Sequence, residues 1–319
     1  MRHLFSGVFL AVALVGSSLA AEPRKINIPD APVLPVASAK ILTGPPDKPI
    51  GPSAGIAHNS KGHYFLYQRT ANALMEFDQN DNFVREFPNA VGGRAHGLRI
   101  DAGDNIWLTN VNDHTVTKLS PTGDVLLTLG TKGKAGTWDE AAGAHLFNEP
   151  NDIGFAANGD VFIITGHGGP DPRIVKFDKA GKFLRTWSLA HEDGSKALTH
   201  TIVIDKAGLL YIGDRDVMTI RVFDAEGKNL RNIKMNNLVC GLYVDVKGDL
   251  WMVAGFDGMI MRLDWSGKVL AWTGKAGKGG ANEYGEAHYM TVSRDGKSIY
   301  VTDPVNPSSH KISLSKAFE

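Results

Sequence analysis

The sequence predicts an all-β fold, a six-bladed β-propeller with one repeated unit per blade. Six segments share a short alternating strand that ends at a Gly-containing turn. They recur at intervals of roughly 40–55 residues, close to the 40–50 residues of one blade. Helical periodicity is almost absent, and a two-sheet sandwich is the alternative. The aligned segments begin at Ala54, His96, Asn151, His200, Cys240 and His288.

Further strands follow each aligned segment, and four antiparallel strands make one blade. The predicted second strands are Tyr64–Gln68, Ile106–Asn110, Val161–Thr165, Leu210–Asp214, Leu250–Ala254 and Ser298–Asp303. The clearest third strands are Val116–Leu119, Ile174–Phe177, Ile220–Phe223 and Ile260–Leu263. The clearest fourth strands are Val125–Leu129, Phe183–Trp187 and Val269–Trp272.

The last unit ends near Leu314 without a clear fourth strand. Ile26–Ile28 or Val33–Val36 could supply that strand from the other end of the chain. We therefore expect residues 1–20 to be a signal peptide, residues 21–50 to be an N-terminal segment that closes the ring, and residues 51–319 to form the propeller.

The first twenty residues have the features of a secretory signal. A basic start at Arg2 precedes a short apolar run, and the small residues Ser18 and Ala20 suit cleavage after Ala20. An uncleaved anchor is the alternative, and no later segment is long and apolar enough to span a bilayer. The expected location is secreted or periplasmic. The lone Cys240 excludes an internal disulfide.

The charge balance restricts the partners. The 34 basic and 34 acidic side chains cancel, so no long-range field attracts nucleic acid or an anionic membrane. The expected partner is a small-molecule or peptide substrate, with no nucleic acid and, after signal cleavage, no membrane.

Histidine fills the first aligned position in alternate blades, at His96, His200 and His288. That position begins the strand nearest the propeller axis, so the three imidazoles should converge. Three imidazoles with one coordination position open are typical of a catalytic zinc site. The sequence therefore predicts one Zn²⁺ held by these three histidines.

Side chains at the ends of the second strands are further candidates for the site, because these strands end next to the opening of the axial channel. Arg69 and Arg215 could clamp a carboxylate there by paired hydrogen bonds, or they could be solvated cations. His167 lies in a Gly- and Pro-rich loop whose composition could serve geometry alone. Cys240 occupies the histidine position of blade five, where it could line the channel near the metal, and it is expected to be a small apolar filler. The remaining histidines interpreted as solvated surface are His58, His63, His114, His145, His191 and His310.

Several of these segments resemble NHL-repeat proteins, and within them the peptidyl-α-hydroxyglycine α-amidating lyase family. The resemblance covers about residues 50–315 and depends chiefly on Ala95–Leu98, Thr199-His200, Ala287-His288 and Gly213–Arg215. It implies a catalytic zinc on the three histidines and cleavage of a peptidyl-α-hydroxyglycine into a peptide amide and glyoxylate. It also implies that Arg69 and Arg215 are active-site arginines.

Two departures from the family pattern bear on the chemistry. His167 stands in the loop where the family has its proposed tyrosine base, and histidine can do base chemistry near neutral pH. Tyr289 replaces the carboxylate expected after the third histidine, which the family uses for a structural calcium, so no calcium is predicted.

Two functions remain open at this point. The first is an exported zinc lyase with Arg69, His167 and Arg215 as catalytic residues. The second is a non-catalytic periplasmic propeller that binds a protein or glycan on its broad face. A lactone hydrolase is a further alternative, although such propellers usually hold their metal with carboxylate and amide groups.

Overall fold

The computed structural model describes residues 24–317, so the predicted signal peptide lies outside the described residues. Within that range the chain forms 26 β-strands and no helix. It follows that residues 24–317 hold no helix that could cross a membrane.

The strands form six antiparallel sheets of four strands, which are the blades of the predicted propeller. The N-terminal strand is β1 (Val36–Ile41). Blade one holds β2 (Ser53–His58), β3 (Tyr64–Gln68), β4 (Leu74–Phe77) and β5 (Phe83–Glu86). Blade two holds β6 (Ala95–Ile100), β7 (Ile106–Asn110), β8 (Thr115–Leu119) and β9 (Val125–Gly130). Blade three holds β10 (Asp152–Phe155), β11 (Val161–Ile164), β12 (Arg173–Phe177) and β13 (Phe183–Ser188).

Blade four holds β14 (Thr199–Ile204), β15 (Leu210–Asp214), β16 (Thr219–Phe223) and β17 (Asn229–Lys234). Blade five holds β18 (Gly241–Val244), β19 (Leu250–Val253), β20 (Ile260–Leu263) and β21 (Val269–Thr273). A short parallel pair, β22 (Lys275–Ala276) and β23 (Glu283–Tyr284), leads to blade six. Blade six holds β24 (Met290–Val292), β25 (Ser298–Asp303) and β26 (Ser308–Leu314). The predicted fold class is therefore confirmed.

The N-terminal segment supplies the outer strand of blade six. Strand β1 pairs antiparallel with β26, with Lys40 opposite Lys311. The strand starts at Val36, later than the predicted Val33–Val36, because the preceding residues pair with blade five instead. There the Leu34 N–H donates to the Trp272 carbonyl at 2.7 Å.

In blades three, four and five, a turn that begins with Asp and ends with Gly connects the third and fourth strands. In the turn of blade three, the Asp178 carboxylate accepts the N–H groups of Ala180 at 2.8 Å and Lys182 at 2.9 Å. Gly181 has φ +84° there, a left-handed conformation that a side chain disfavours. These hydrogen bonds from backbone N–H groups to the side chain take the place of the sheet hydrogen bonds that a turn cannot make, and they stabilise the hairpin.

The core is a ring of apolar clusters between neighbouring blades. One cluster joins Tyr289 and Tyr300 of blade six to Tyr64 and Phe77 of blade one, and the last two rings stack at 5.1 Å. A single blade cannot bury its faces alone, so each blade depends on its neighbours. This packing brings the innermost strands, β2, β6, β10, β14, β18 and β24, into contact around the axis.

Candidate metal centre

Irregular strand starts place His96, His200 and His288 at the axis. The register shifts between Ala95 and Leu98 of β6, and between Thr199 and Thr201 of β14. Both shifts are bulge positions, which re-aim a side chain away from the regular pleat. Ahead of β24, the His288 N–H donates to the Thr302 carbonyl, and the Thr302 N–H donates to the Tyr289 carbonyl.

The structure brings these three imidazoles into one buried cluster. One ligand nitrogen from each ring lies within 4.8 Å of the others. The Nε2 atoms of His96 and His200 are 3.2 Å apart. Nitrogens bound to a tetrahedral zinc at about 2.0–2.1 Å would lie about 3.3 Å apart, so this spacing suits the ion.

Backbone carbonyls fix the tautomer of each ring. Nδ1 of His96 lies 2.7 Å from the Asn151 oxygen, and Nδ1 of His200 lies 2.6 Å from the Cys240 oxygen. Nδ1 of His288 lies 2.8 Å from the Ala54 oxygen. A carbonyl only accepts, so each Nδ1 carries the proton and each neutral ring keeps its Nε2 lone pair for the cluster.

Burial keeps all three rings neutral. It lowers the pKa of His96, His200 and His288 well below the usual value of 6.5, and neighbouring positive groups lower them further. Two unprotonated Nε2 atoms at 3.2 Å repel each other unless a cation lies between them. The three predicted ligands therefore fit a metal ion.

His167 joins the cluster as a fourth imidazole. Its Nε2 lies 3.2 Å from Nε2 of His200, and its Nδ1 lies 3.2 Å from the Arg94 guanidinium. Burial, followed by the charge of Arg94, lowers the pKa of His167 to about 3. The ring is therefore neutral and faces the same space as the three predicted ligands.

Both predicted arginines lie close to the cluster. The positive charge of Arg69 contributes to the lowered pKa of His288, and that of Arg215 contributes to the lowered pKa of His200. The Arg69 Nε donates to the Ala95 carbonyl at 3.2 Å, while Arg215 reaches a carboxylate oxygen of Glu286 at 3.5 Å. These contacts leave further guanidinium N–H groups for a ligand.

Glu286 is a candidate that the repeat alignment missed. One of its carboxylate oxygens, the Cys240 Sγ atom and a nitrogen of His288 all lie within 4.8 Å of one another. Burial raises the pKa of Glu286 above its usual 4.5, against the opposing effect of Arg215. Glu286 precedes the repeated segment, so alignment on the histidine position did not detect it. Its spacing of two residues before His288 was the available signal.

Cys240 lines the cluster as a neutral thiol. Its side chain is fully buried, with Sγ 3.8 Å from both His200 Nδ1 and the Glu286 carboxylate. Burial raises the pKa of the Cys240 thiol well above 9.0. In the cluster without a cation the thiol is therefore protonated, and it would have to lose that proton to serve as a metal ligand.

Tyr289 packs beside a buried ion pair on the axis. The Arg99 guanidinium donates to both oxygens of Asp152, at 2.9 and 2.5 Å, and to the Leu242 carbonyl at 3.1 Å. It also lies 5.3 Å from the centre of the Tyr289 ring. A fixed guanidinium thus joins blades two, three and five next to Tyr289.

The interpretation of six histidines as solvated surface is wrong for His310 and for His58, where burial lowers the pKa from 6.5 to about 3. The His310 ring is fully buried in β26, 2.9 Å from the Ser308 hydroxyl. His191 and His58 also have partners. His191 bridges Ser195 and the buried Asp214, and His58 contacts the Thr291 hydroxyl at 2.9 Å. The alternation of polar and apolar residues along an outer strand does not show which face of that strand is covered by the next blade.

The chain is similar to curated proteins of two kinds. A peptidyl-alpha-hydroxyglycine alpha-amidating lyase 2 of Drosophila melanogaster is 31% identical over 217 residues, covering 65% of this chain and 51% of that protein. A probable lyase of the same name from Caenorhabditis elegans is 26% identical over 208 residues, covering 56% and 57%. The NHL repeat-containing protein 3 of Homo sapiens is 29% identical over 178 residues, covering 52% and 49%. The chain thus spans about half the length of these relatives.

Solved structures share the fold at lower identity. A streptogramin B lyase aligns with a TM-score of 0.64 at 17% identity, covering 87% of this chain and 98% of the other. A protein described as a putative gluconolactonase aligns with a TM-score of 0.63 at 14% identity, covering 89% and 95%. No protein-family model matches the sequence. The propeller fold and the resemblance to NHL-repeat proteins and amidating lyases are therefore confirmed.

Proposed function

We propose that this protein is an exported, zinc-dependent carbon–nitrogen lyase that cleaves a peptidyl-α-hydroxyglycine into a peptide amide and glyoxylate. The observation that carries the proposal is the convergence of three neutral imidazoles whose lone pairs face one another, beside two arginines. The similarity to proteins named amidating lyases supports the choice of reaction.

His96, His200 and His288 would hold the zinc ion. When bound there, zinc would supply Lewis-acid polarisation of a substrate oxygen. The carbonyls that accept from the three Nδ1 atoms orient the rings for this task, as partners behind metal ligands commonly do.

Arg69 and Arg215 would bind the carboxylate of the substrate. Both guanidinium groups are largely buried beside the cluster, where a charge-assisted bond is stronger than in water. This arrangement selects a substrate with an acidic end and orients its α-carbon toward the histidines.

Glu286 would accept the hydroxyl proton of the substrate. As the carbon–nitrogen bond breaks, the hydroxyl oxygen becomes the carbonyl of glyoxylate, and the departing nitrogen takes up one proton. A buried carboxylate with a raised pKa is a stronger base than an exposed one. Under this proposal, His167 takes part as a neutral imidazole facing the same space.

The proposed setting is extracytoplasmic. It follows from the signal-like residues 1–20, and the balanced charge of the chain favours a small or peptide substrate over nucleic acid or a membrane surface.

The reaction is tested by supplying a carboxylate-terminated α-hydroxyglycine peptide to the zinc-loaded protein and measuring both glyoxylate and peptide amide. We expect equal amounts of the two products, with His200→Gln at least about 100-fold slower. His145→Gln is a matched control, because His145 is half exposed and away from the cluster.

A substrate whose carboxylate is replaced by a carboxamide should react about 10–100-fold more slowly, since a charge-assisted bond contributes about 1.5–3 kcal/mol. If folded, zinc-loaded protein releases no glyoxylate above the uncatalysed rate, the lyase proposal is wrong and the non-catalytic propeller replaces it.

A further inference from the structure

His167 differs from the other three imidazoles in the partner of its Nδ1 atom. His96, His200 and His288 each place Nδ1 against a carbonyl oxygen, which accepts. His167 places Nδ1 3.2 Å from Nη2 of Arg94, and a guanidinium only donates. Nδ1 of His167 must therefore accept, and in the neutral ring the proton lies on Nε2.

The contact between His167 and His200 agrees with that assignment. The two Nε2 atoms are 3.2 Å apart, and Nε2 of His200 is unprotonated because its Nδ1 donates to Cys240. A protonated Nε2 on His167 makes this contact an N–H···N hydrogen bond. The contact between His96 and His200, in contrast, joins two lone pairs.

Arg94 and His167 come from different blades, so the contact also holds a loop in place. Arg94 immediately precedes β6, and its carbonyl accepts from the Val111 N–H at 3.1 Å. His167 lies in the loop between β11 and β12, where Gly166 has φ +86° and the Thr165 hydroxyl donates to the Asp171 carbonyl at 3.1 Å. The His167 ring is thus fixed from both sides.

We infer that Arg94 is a positioning residue that holds His167 in the Nε2–H tautomer, so that His167 offers the cluster a hydrogen-bond donor and is not a metal ligand. The catalytic consequence rests on the proposed function. If His96, His200 and His288 held a cation, the His200 lone pair would be engaged, and the His167 N–H would be free to donate to the departing amide. That amide gains negative charge as the carbon–nitrogen bond breaks, and a fixed donor stabilises it.

The tautomer can be measured by long-range ¹H–¹⁵N correlation NMR on ¹⁵N-labelled protein, with the His167 signals assigned from the spectrum of His167→Gln. We expect a protonated Nε2 and an unprotonated Nδ1 on His167, with and without Zn²⁺. Arg94→Met removes the donor and should shift His167 toward the Nδ1–H form, whereas Arg94→Lys keeps a donor and should retain the Nε2–H form. An unprotonated Nε2 in the wild type, or an unchanged tautomer in Arg94→Met, would overturn the inference.

Zinc affinity separates a donor from a fourth ligand. His167→Gln should weaken Zn²⁺ binding by about 10-fold or less, and His96→Gln by more than about 100-fold. Equal losses would make His167 a ligand and overturn the inference. Neither measurement depends on turnover, so a protein without lyase activity could still support the Arg94 inference.

Discussion

At the residue scale, the hydrogen-bond partners of the imidazoles determine what each ring can do. Three rings donate through Nδ1 to backbone carbonyls and keep lone pairs for a cation, while His167 accepts from Arg94. Four similar side chains thus divide into three candidate ligands and one candidate donor. The identity of the residue alone does not make that distinction.

The buried ion pair on the axis gives a stability prediction. The Asp152 side chain is fully buried, and Arg99→Met would leave its charge without the guanidinium. We expect a loss of about 3–5 kcal/mol in the free energy of unfolding, measured by denaturant titration. Arg99→Met combined with Asp152→Asn should recover part of that loss. A single variant within about 1 kcal/mol of the wild type would contradict this account.

His58 gives a prediction about acid. Burial, followed by the charge of Lys311, lowers its pKa from 6.5 to about 3. Between those values the unfolded chain binds a proton that the folded protein does not, so stability falls as the pH falls. The slope from this residue approaches about 1.4 kcal/mol per pH unit.

His58→Asn removes that proton-binding site. The stability difference between variant and wild type should therefore move in favour of the variant from pH 7 to pH 4.5 and stay constant from pH 7 to pH 9. Urea unfolding at each pH measures it, and a difference independent of pH would show that His58 is not held neutral.

At the element scale, the site residues are placed by two β-bulges and by a blade that combines strands from both ends of the chain. The bulges at the starts of β6 and β14 direct His96 and His200 to the axis, and β1 completes the sheet that begins with β24 near His288. Ring closure therefore joins the N-terminal segment to the blade that carries the third histidine.

Removing β1 tests the closing strand. A chain that starts after Ile41 leaves β26 as an unpaired edge, which favours association with another chain. We expect a lower thermal midpoint and aggregation on size-exclusion chromatography, while a chain that starts at Arg24 should behave as the parent. Equal midpoints for the two truncated chains would show that β1 is dispensable.

Most of the β-strands, but only part of the candidate site, could be predicted from the sequence. Alternation and Gly turns give β3, β7, β15 and β25 their exact predicted bounds, because those signals are local. Arg94 and Glu286 stand outside the aligned positions, and their relation to the cluster depends on loops between blades. The burial of His310 depends on packing against Tyr284, which strand periodicity does not report.

At the scale of the whole molecule, the candidate metal centre joins blades two, four and six. A ligand that binds only the folded ring stabilises all of it by mass action. We therefore expect free zinc at about 100 times its dissociation constant to raise the free energy of unfolding by about 2.7 kcal/mol. His96→Gln should lose this increment, and His145→Gln should keep it. An increment that persists in His96→Gln would place the zinc elsewhere.

We expect three imidazoles to hold the metal, without Cys240 as a ligand. X-ray absorption at the zinc edge of the loaded protein tests this expectation most directly, because zinc–nitrogen and zinc–sulfur distances differ, at about 2.0 and about 2.3 Å. We expect one zinc per chain, with scattering from three imidazole rings and no sulfur. A protein that takes up no zinc, or a spectrum with a sulfur ligand, would contradict it.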